Sequence, residues 1–181
     1  PPRSTLFPYT TLFRSRSDAR KYPAIHPLES WSKYKSLLPG NAVAWAHRYL
    51  ERGSEVGQMM KVVGEEGTSI DDFNVYLKGE FLDAVYLQQN SFDAVDAAVS
   101  PERQRAMFKK SVRVLGSSFD FKDKDAARGW FNQLRQRFLD MNGIEWGTDA
   151  FKKADADLTA FIDERVSGLD KKAAQIIESL E

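Results

Sequence analysis

Residues 69–84 read SIDDFNVYLKGEFLDA, in which Ile70, Phe73, Leu77, Phe81 and Ala84 recur at intervals of three and four. On an α-helix that spacing gathers them on one face, whereas on a strand it would scatter them over both. Thr68 or Ser69 can cap the start, and Asp71 and Asp72 fall in the first turn, where the helix dipole favours negative charge. A helix carrying such a stripe must bury it against other elements, so the expected architecture is helix packed on helix.

The same signature repeats downstream. Ser100-Pro101 is an N-cap followed by proline at the first helical position, predicting a helix through about Leu115. Another is expected from about Asp123 to Met141, with Ala127, Trp130, Leu134, Phe138 and Met141 as its stripe and Asn142-Gly143 as its stop. Thr148 opens a last helix, where Phe151, Ala154, Leu158, Phe161 and Ile162 align ahead of a polar tail. Upstream, Asn41 is expected to cap a helix through about Arg52 that Gly53 breaks or ends, with a short segment Glu55 to Val63 closed by Gly64 and Gly67. Residues 16–40 hold Pro23, Pro27 and Pro39, which forbid a continuous helix, and YPAI, residues 22–25, could end a strand. No useful alternating pattern follows residue 40. The predicted fold class is mostly α, a helical bundle.

Composition narrows the function. The 181 residues are 42% hydrophobic and 29% charged, with Phe 12, Tyr 6 and Trp 4, enough apolar material for a real core. Lys+Arg 26 balance Asp+Glu 26, so there is no overall basic field for a phosphate backbone, and nucleic acid is not expected as a partner. No run approaches the ~20 apolar residues of a membrane span, so no direct membrane insertion is expected. Cysteine is absent, which removes disulfides and thiolate metal sites and fits a cytosolic address. Residues 1–15, PPRSTLFPYTTLFRS, lack the apolar stretch and cleavage site of a signal peptide. Read back through the genetic code, residues 6–15 resemble an in-frame translation of a short sequencing adapter. Residues 1–15 are therefore expected to be an assembly artefact, with the natural chain beginning near Arg16, in the middle of something longer.

Most candidate chemistry is missing. A phosphate loop needs G-x-x-x-x-G-K-[ST], and VGEEGTSI, residues 63–70, has no lysine in place and two acids that would repel phosphate; it reads as a turn and helix cap. His26 is expected in a loop and His47 on an exposed helix face, without the partner that a general acid or base requires. Glu65-Glu66 and Asp71-Asp72 read as solvated surface. Of Trp31, Trp45, Trp130 and Trp146, three lie in or beside helical patterns and are expected to pack. One stretch is left, YLQQNSFDAVD, residues 86–96. Gln88, Gln89 and Asn90 offer donors and acceptors of the kind an adenine edge requires, and Phe92 offers a face for stacking. The same residues equally suit a helix C-terminus with polar capping.

Two segments carry a family resemblance. ARKYPAIHPLESWSKY, residues 19–34, resembles the end of the nucleotide-binding domain of rotary ATPase catalytic subunits, where Tyr/Phe-Pro-Ala-Ile/Val leads into a Ser-x-Ser-Arg/Lys turn. GEFLDAVYLQQNSFDAVDAAVSPERQ, residues 79–104, is similar to the F-L-Q-Q-N-[AS]-F-D-x-V-D segment of V-type/A-type catalytic A subunits, followed by SPE(K/R)Q at the same distance. Both the LQQN segment and Lys33 after Ser30-Trp31-Ser32 favour A over the non-catalytic B subunit, whose turn carries an arginine finger that lysine replaces poorly. Before QQN this chain has GEFLDAVYL where many members attach Phe-Leu directly, so its helix is expected to run a turn longer.

The resemblance implies residues 16–40 as the end of a nucleotide-binding domain and 41–181 as the C-terminal helical domain of an A subunit. It implies Phe92 stacking on the adenine of ATP or ADP, with Gln88, Gln89 and Asn90 lining or supporting the pocket; no catalytic or metal-ligating residue is implied within this chain. The complete subunit would bind ATP/ADP with Mg²⁺, couple it to proton or sodium transport, and work with B subunits and a central stalk at the cytoplasmic periphery of a membrane. The fragment alone, lacking a phosphate loop, is expected to bind no cofactor and to hydrolyse no ATP. The alternative is a stand-alone helical protein-interaction module. A longer natural chain would leave apolar surface exposed around Tyr22, Ile25 and Leu28.

Overall fold

The computed structural model describes residues 16–18, 20–28 and 37–180. The suspected artefact at 1–15 and the turn with Trp31 and Lys33 lie outside the described residues. Helix α1 spans Gly40–Val63, α2 Ile70–Leu82, and a wide turn of helix, Asp83–Leu87, continues α2 toward the amide-rich stretch. In that turn the Gln88 N–H donates to the Asp83 carbonyl at 3.1 Å, five residues back rather than four, the bond of a π-helical turn. Then follow α3 Ala94–Ala97, α4 Pro101–Gly116, β1 Ser117–Phe119, α5 Lys124–Asn142, α6 Asp149–Asp163, β2 Val166–Leu169 and α7 Lys171–Ser179.

Local chemistry places most of these elements. The Ser69, Ser100, Asp123 and Thr148 side chains accept from the backbone N–H three residues on, at the starts of α2, α4, α5 and α6. The stripe of α2 enters a core shared with α5 and α6, where Phe81 meets Phe138 edge to face with ring centroids 4.9 Å apart. Trp130 stacks on Phe161 in the same core. A second core joins α1, α4 and α7 through Trp45, Phe108, Val112, Leu115, Ala173 and Ile176. Each large apolar side chain so buried contributes roughly 1.5–3 kcal/mol.

Four expectations are corrected. The first helix begins at Gly40 with Pro39 at the cap position, and Asn41 lies inside it. It also runs through Gly53 without a break and takes in residues 55–63, ending at Gly64, whose φ of 79° lies in the left-handed region. Gly53 serves a crossing instead: a Cβ there would stand 3.2 Å from the Gly79 Cα, so α1 and α2 approach backbone to backbone. Residues beyond α6 are not a polar tail; β2 pairs antiparallel with β1, with a register shift between Ser118 and Phe119, and α7 inserts Ala173 and Ile176 into the second core. Strands of three and four residues are too short to show alternation. Finally, residues 21–26, including YPAI, are irregular rather than strand.

Candidate functional site

The amide-rich stretch leaves the wide turn as extended chain and is fastened from three sides. Gln88 has extended backbone angles. The Gln89 N–H donates to the Tyr22 carbonyl at 2.8 Å, and the Gln89 side-chain amide reaches the Asp96 carbonyl at 3.4 Å. The Asn90 N–H donates to the Asp96 carboxylate at 2.6 Å. Asn90 in turn accepts the Phe92 N–H at 3.1 Å on its side-chain oxygen, an Asx turn, and the Asp93 N–H at 3.1 Å on its carbonyl. Asp93 then caps α3, accepting from Val95 and Asp96. Apart from the bond to the Tyr22 carbonyl, every one of these bonds spans seven residues or fewer. The stretch is a built loop rather than a frayed helix end.

At the tip of that loop Phe92 is 99% exposed. Burial of a phenylalanine is one of the larger favourable terms available to a fold, and here the fold forgoes it. Gln88 and Gln89 are half-buried and Asn90 is exposed. The two glutamines separate two clefts. One, of about 240 Å³, is lined by Tyr86, Asp96, Arg103 and Gln104 together with both glutamines. The other, of about 300 Å³, adds Asn90, Asp93 and Arg135. Burial pushes the Tyr86 phenol up to about 12, so it stays protonated.

Behind the loop lie charged residues that sequence reasoning missed. Asp83, 6% exposed, accepts from Arg16 at 2.9 Å and Lys21 at 2.5 Å, with the Gln88 amide at 3.5 Å. Burial alone would raise the Asp83 carboxyl; the hydrogen bonds and charges of Arg16 and Lys21 outweigh it and hold the group below the usual carboxylate range. Arg103, 2% exposed, donates to the Met141 and Asn142 carbonyls at the end of α5, and the Asn142 amide donates to the Val85 carbonyl in the wide turn. The only sequence signal for Asp83 was a single acid inside the apolar run FLDAVYL; for Arg103 there was none.

The remaining candidates are ordinary. His47 faces Glu51 at 3.2 Å on α1, and His26 sits in a half-buried loop. Residues 64–67 form a turn whose Glu65 carboxylate pairs with Arg128 and whose Glu65 carbonyl accepts from Lys124. Trp45 and Trp130 are core, while Trp146 packs on Phe151 at the surface. Among the described residues no group of three or more acidic or histidine side chains could hold a metal ion. Tyr22 and Ile25 are 55% and 52% exposed and Leu28 is half-buried.

Comparison with known proteins matches residues 42–125 to the C-terminal domain of V and A type ATP synthase. The chain is 56% identical over 167 residues to the V-type ATP synthase alpha chain of Treponema denticola, covering 92% of this chain and 28% of that protein. It is 52% identical over 170 residues to alpha chain 1 of Treponema pallidum, covering 94% and 29%, and 56% identical over 147 residues to the alpha chain of Borrelia turicatae, covering 81% and 26%. The chain thus spans less than a third of the length of these relatives.

Proposed function

Because the chain belongs to the family of the C-terminal domain of V- and A-type ATP synthases, we propose that it forms the base-facing wall of the nucleotide pocket in a catalytic A subunit. Phe92 stacks on the adenine of ATP or ADP, and Gln88, Gln89 and Asn90 line the pocket edge. The observation that carries this reading is Phe92 itself: an aromatic ring 99% exposed on a loop held rigid by its own hydrogen bonds. Rigid presentation of an unpartnered ring lowers the ordering cost of binding a flat ligand.

Residues 16–40 belong, in this reading, to the end of the nucleotide-binding domain and 41–181 to the helical domain. The exposed Tyr22 and Ile25 then meet parts of the longer subunit. Phosphate binding and Mg²⁺ fall, in the same reading, to those parts of the longer subunit. The isolated chain, whose sequence carries no phosphate-loop motif, is expected to turn over no ATP. The assembled protein works with B subunits and a central stalk, peripheral to the membrane; no helix among the described residues is long and apolar enough to cross one. A stand-alone interaction module is not favoured, because relatives at 52–56% identity match this chain as a portion of a longer ATP synthase subunit.

The test is Phe92→Ala in the full subunit, assembled into its ATPase. Loss of the stacking face is expected to raise KM for ATP by about tenfold, corresponding to about 1.4 kcal/mol of binding. An unchanged KM would remove Phe92 from the pocket.

A further inference from the structure

Asp83 stands where α2 turns into the loop, and it is buried among groups from a distant part of the chain. Its two strong partners, Arg16 and Lys21, lie 67 and 62 residues upstream. Burying a carboxylate with two cations costs desolvation that an apolar side chain of similar size would avoid, so stability alone does not account for the cluster. Its geometry does specify something. Lys21 grips the Asp83 carboxylate at 2.5 Å, and the next residue, Tyr22, accepts the Gln89 N–H at 2.8 Å. Two adjacent residues of one segment therefore hold both the root of the loop and the middle of its amide run. Asp83 also lies within reach of Gln88 at 3.5 Å.

The wide turn makes this link necessary. A fifth residue in one helical turn breaks the regular ladder and swings the following chain away from the helix axis. Left to itself, the Gln88–Asn90 run would be tied only on its far side, to Asp96 through the Asn90 N–H and the Gln89 side-chain amide and to the Asp93 N–H through the Asn90 carbonyl. A strand held at one end can pivot; held at both, it cannot.

We propose that Asp83 is a positioning residue for nucleotide recognition: with Lys21 and the Tyr22 carbonyl it clamps the root of the Gln88–Asn90 run, and thereby sets where Phe92 meets the base. This rests on the reading of Phe92 as the base-stacking ring. Asp83 touches no nucleotide itself.

The experiment compares Asp83→Asn with Lys21→Met, the latter removing the clamp at a part-exposed position while leaving the Arg16–Asp83 pair. In the 181-residue chain, amide hydrogen exchange at Gln89 is expected to accelerate by about tenfold or more in both variants, with Asn90, held by Asp96, changed less. In the assembled ATPase, Lys21→Met is expected to raise KM for ATP by about threefold or more at nearly constant kcat. Gln89 exchange that stays at the wild-type rate in Lys21→Met would overturn the clamp, even if Asp83→Asn failed to fold. A KM raised by Phe92→Ala but not by Lys21→Met would overturn its role in recognition while sparing the base-stacking reading. A KM raised by neither would sink the base-stacking reading, and this proposal with it, whatever the exchange rates.

Discussion

Phe81 and Phe92 belong to one continuous stretch of chain, yet one is 3% and the other 99% exposed. Phe81 sits in a stripe with Leu77 four residues before it and Ala84 and Val85 three and four after, and it closes on Phe131 and Phe138. Phe92 follows three amides, lies outside any periodic face, and is carried by a loop whose bonds are all polar. The core residue is held by many weak, non-directional contacts. The loop is held by a few directed bonds to buried acids and a carbonyl. The first arrangement makes stability, and the second holds an aromatic face out in solvent.

The comparison can be tested where the expected effect is largest, at Phe138, which is fully buried against Phe81. Phe138→Ala is expected to cost about 3–5 kcal/mol of unfolding free energy, read from urea denaturation. A loss below about 1 kcal/mol would mean the aromatic core is not the stabilising region.

Lys78 sharpens the contrast, because it brings a charge into the packed region. Its Nζ donates to the Ser117 carbonyl at 2.7 Å and lies 5.8 and 5.5 Å from the ring centres of Tyr49 and Phe119. Burial of the ammonium pulls its pKa down from 10.5 to about 8. The unfolded chain keeps the proton to higher pH, so the folded state gains stability as pH rises above about 8. Tyr49 and Tyr86, both raised by burial from 10.0, act in the opposite sense above their unfolded value. Stability should therefore climb between about pH 8 and 10, by about 2 kcal/mol, and Lys78→Met should flatten the slope. A flat wild-type profile would show the ammonium to be well solvated.

Close backbone packing gives a smaller effect. A Cβ at Gly79 would lie 3.3 Å from both the Gly53 Cα and the Tyr49 carbonyl, backbone atoms that cannot rotate aside. Gly79→Ala is expected to lose a net 1–2 kcal/mol, roughly, because overpacking outweighs the better helix propensity of alanine. Gly129, with nothing within 4 Å, is the matched control, and Gly129→Ala should gain up to about 1 kcal/mol. The smallest effect belongs to Phe92→Ala, expected to leave stability within about 0.5 kcal/mol while it alters nucleotide affinity in the full subunit. A large destabilisation there would erase the distinction between the two aromatic residues.

Local signals explain what was legible. The cap at Ser100, the cap at Thr68 or Ser69 that the structure gives to Ser69, the helix starts near Asp123 and Thr148 and the stripes behind them were readable because cap and stripe both operate within about four residues. Gly53 was misread because a helix-weakening residue and a helix-crossing residue look alike until the second helix is in place. The β1–β2 pair was invisible for the same kind of reason, since three or four residues in each strand carry no period and their partners lie far along the chain. At the site, the amide run and Phe92 could be singled out by residue type alone. Their supports could not: Arg103 reads as one more surface cation, and only its bonds to the Met141 and Asn142 carbonyls show otherwise.

By itself, then, the sequence determined the helical class and the starts of α2, α4, α5 and α6, because spacing and capping are properties of neighbours along the chain, while the motifs in residues 19–34 and 79–104 carried the family resemblance. Only the tertiary structure decided that α1 continues past Gly53, that residues 166–179 fold back onto α4 and β1, and that Asp83 joins Arg16 and Lys21 behind the Gln88–Asn90 run. Those outcomes turn on which distant groups come within hydrogen-bond or van der Waals distance, and burial makes each contact strong or costly only after the fold has brought its partners together.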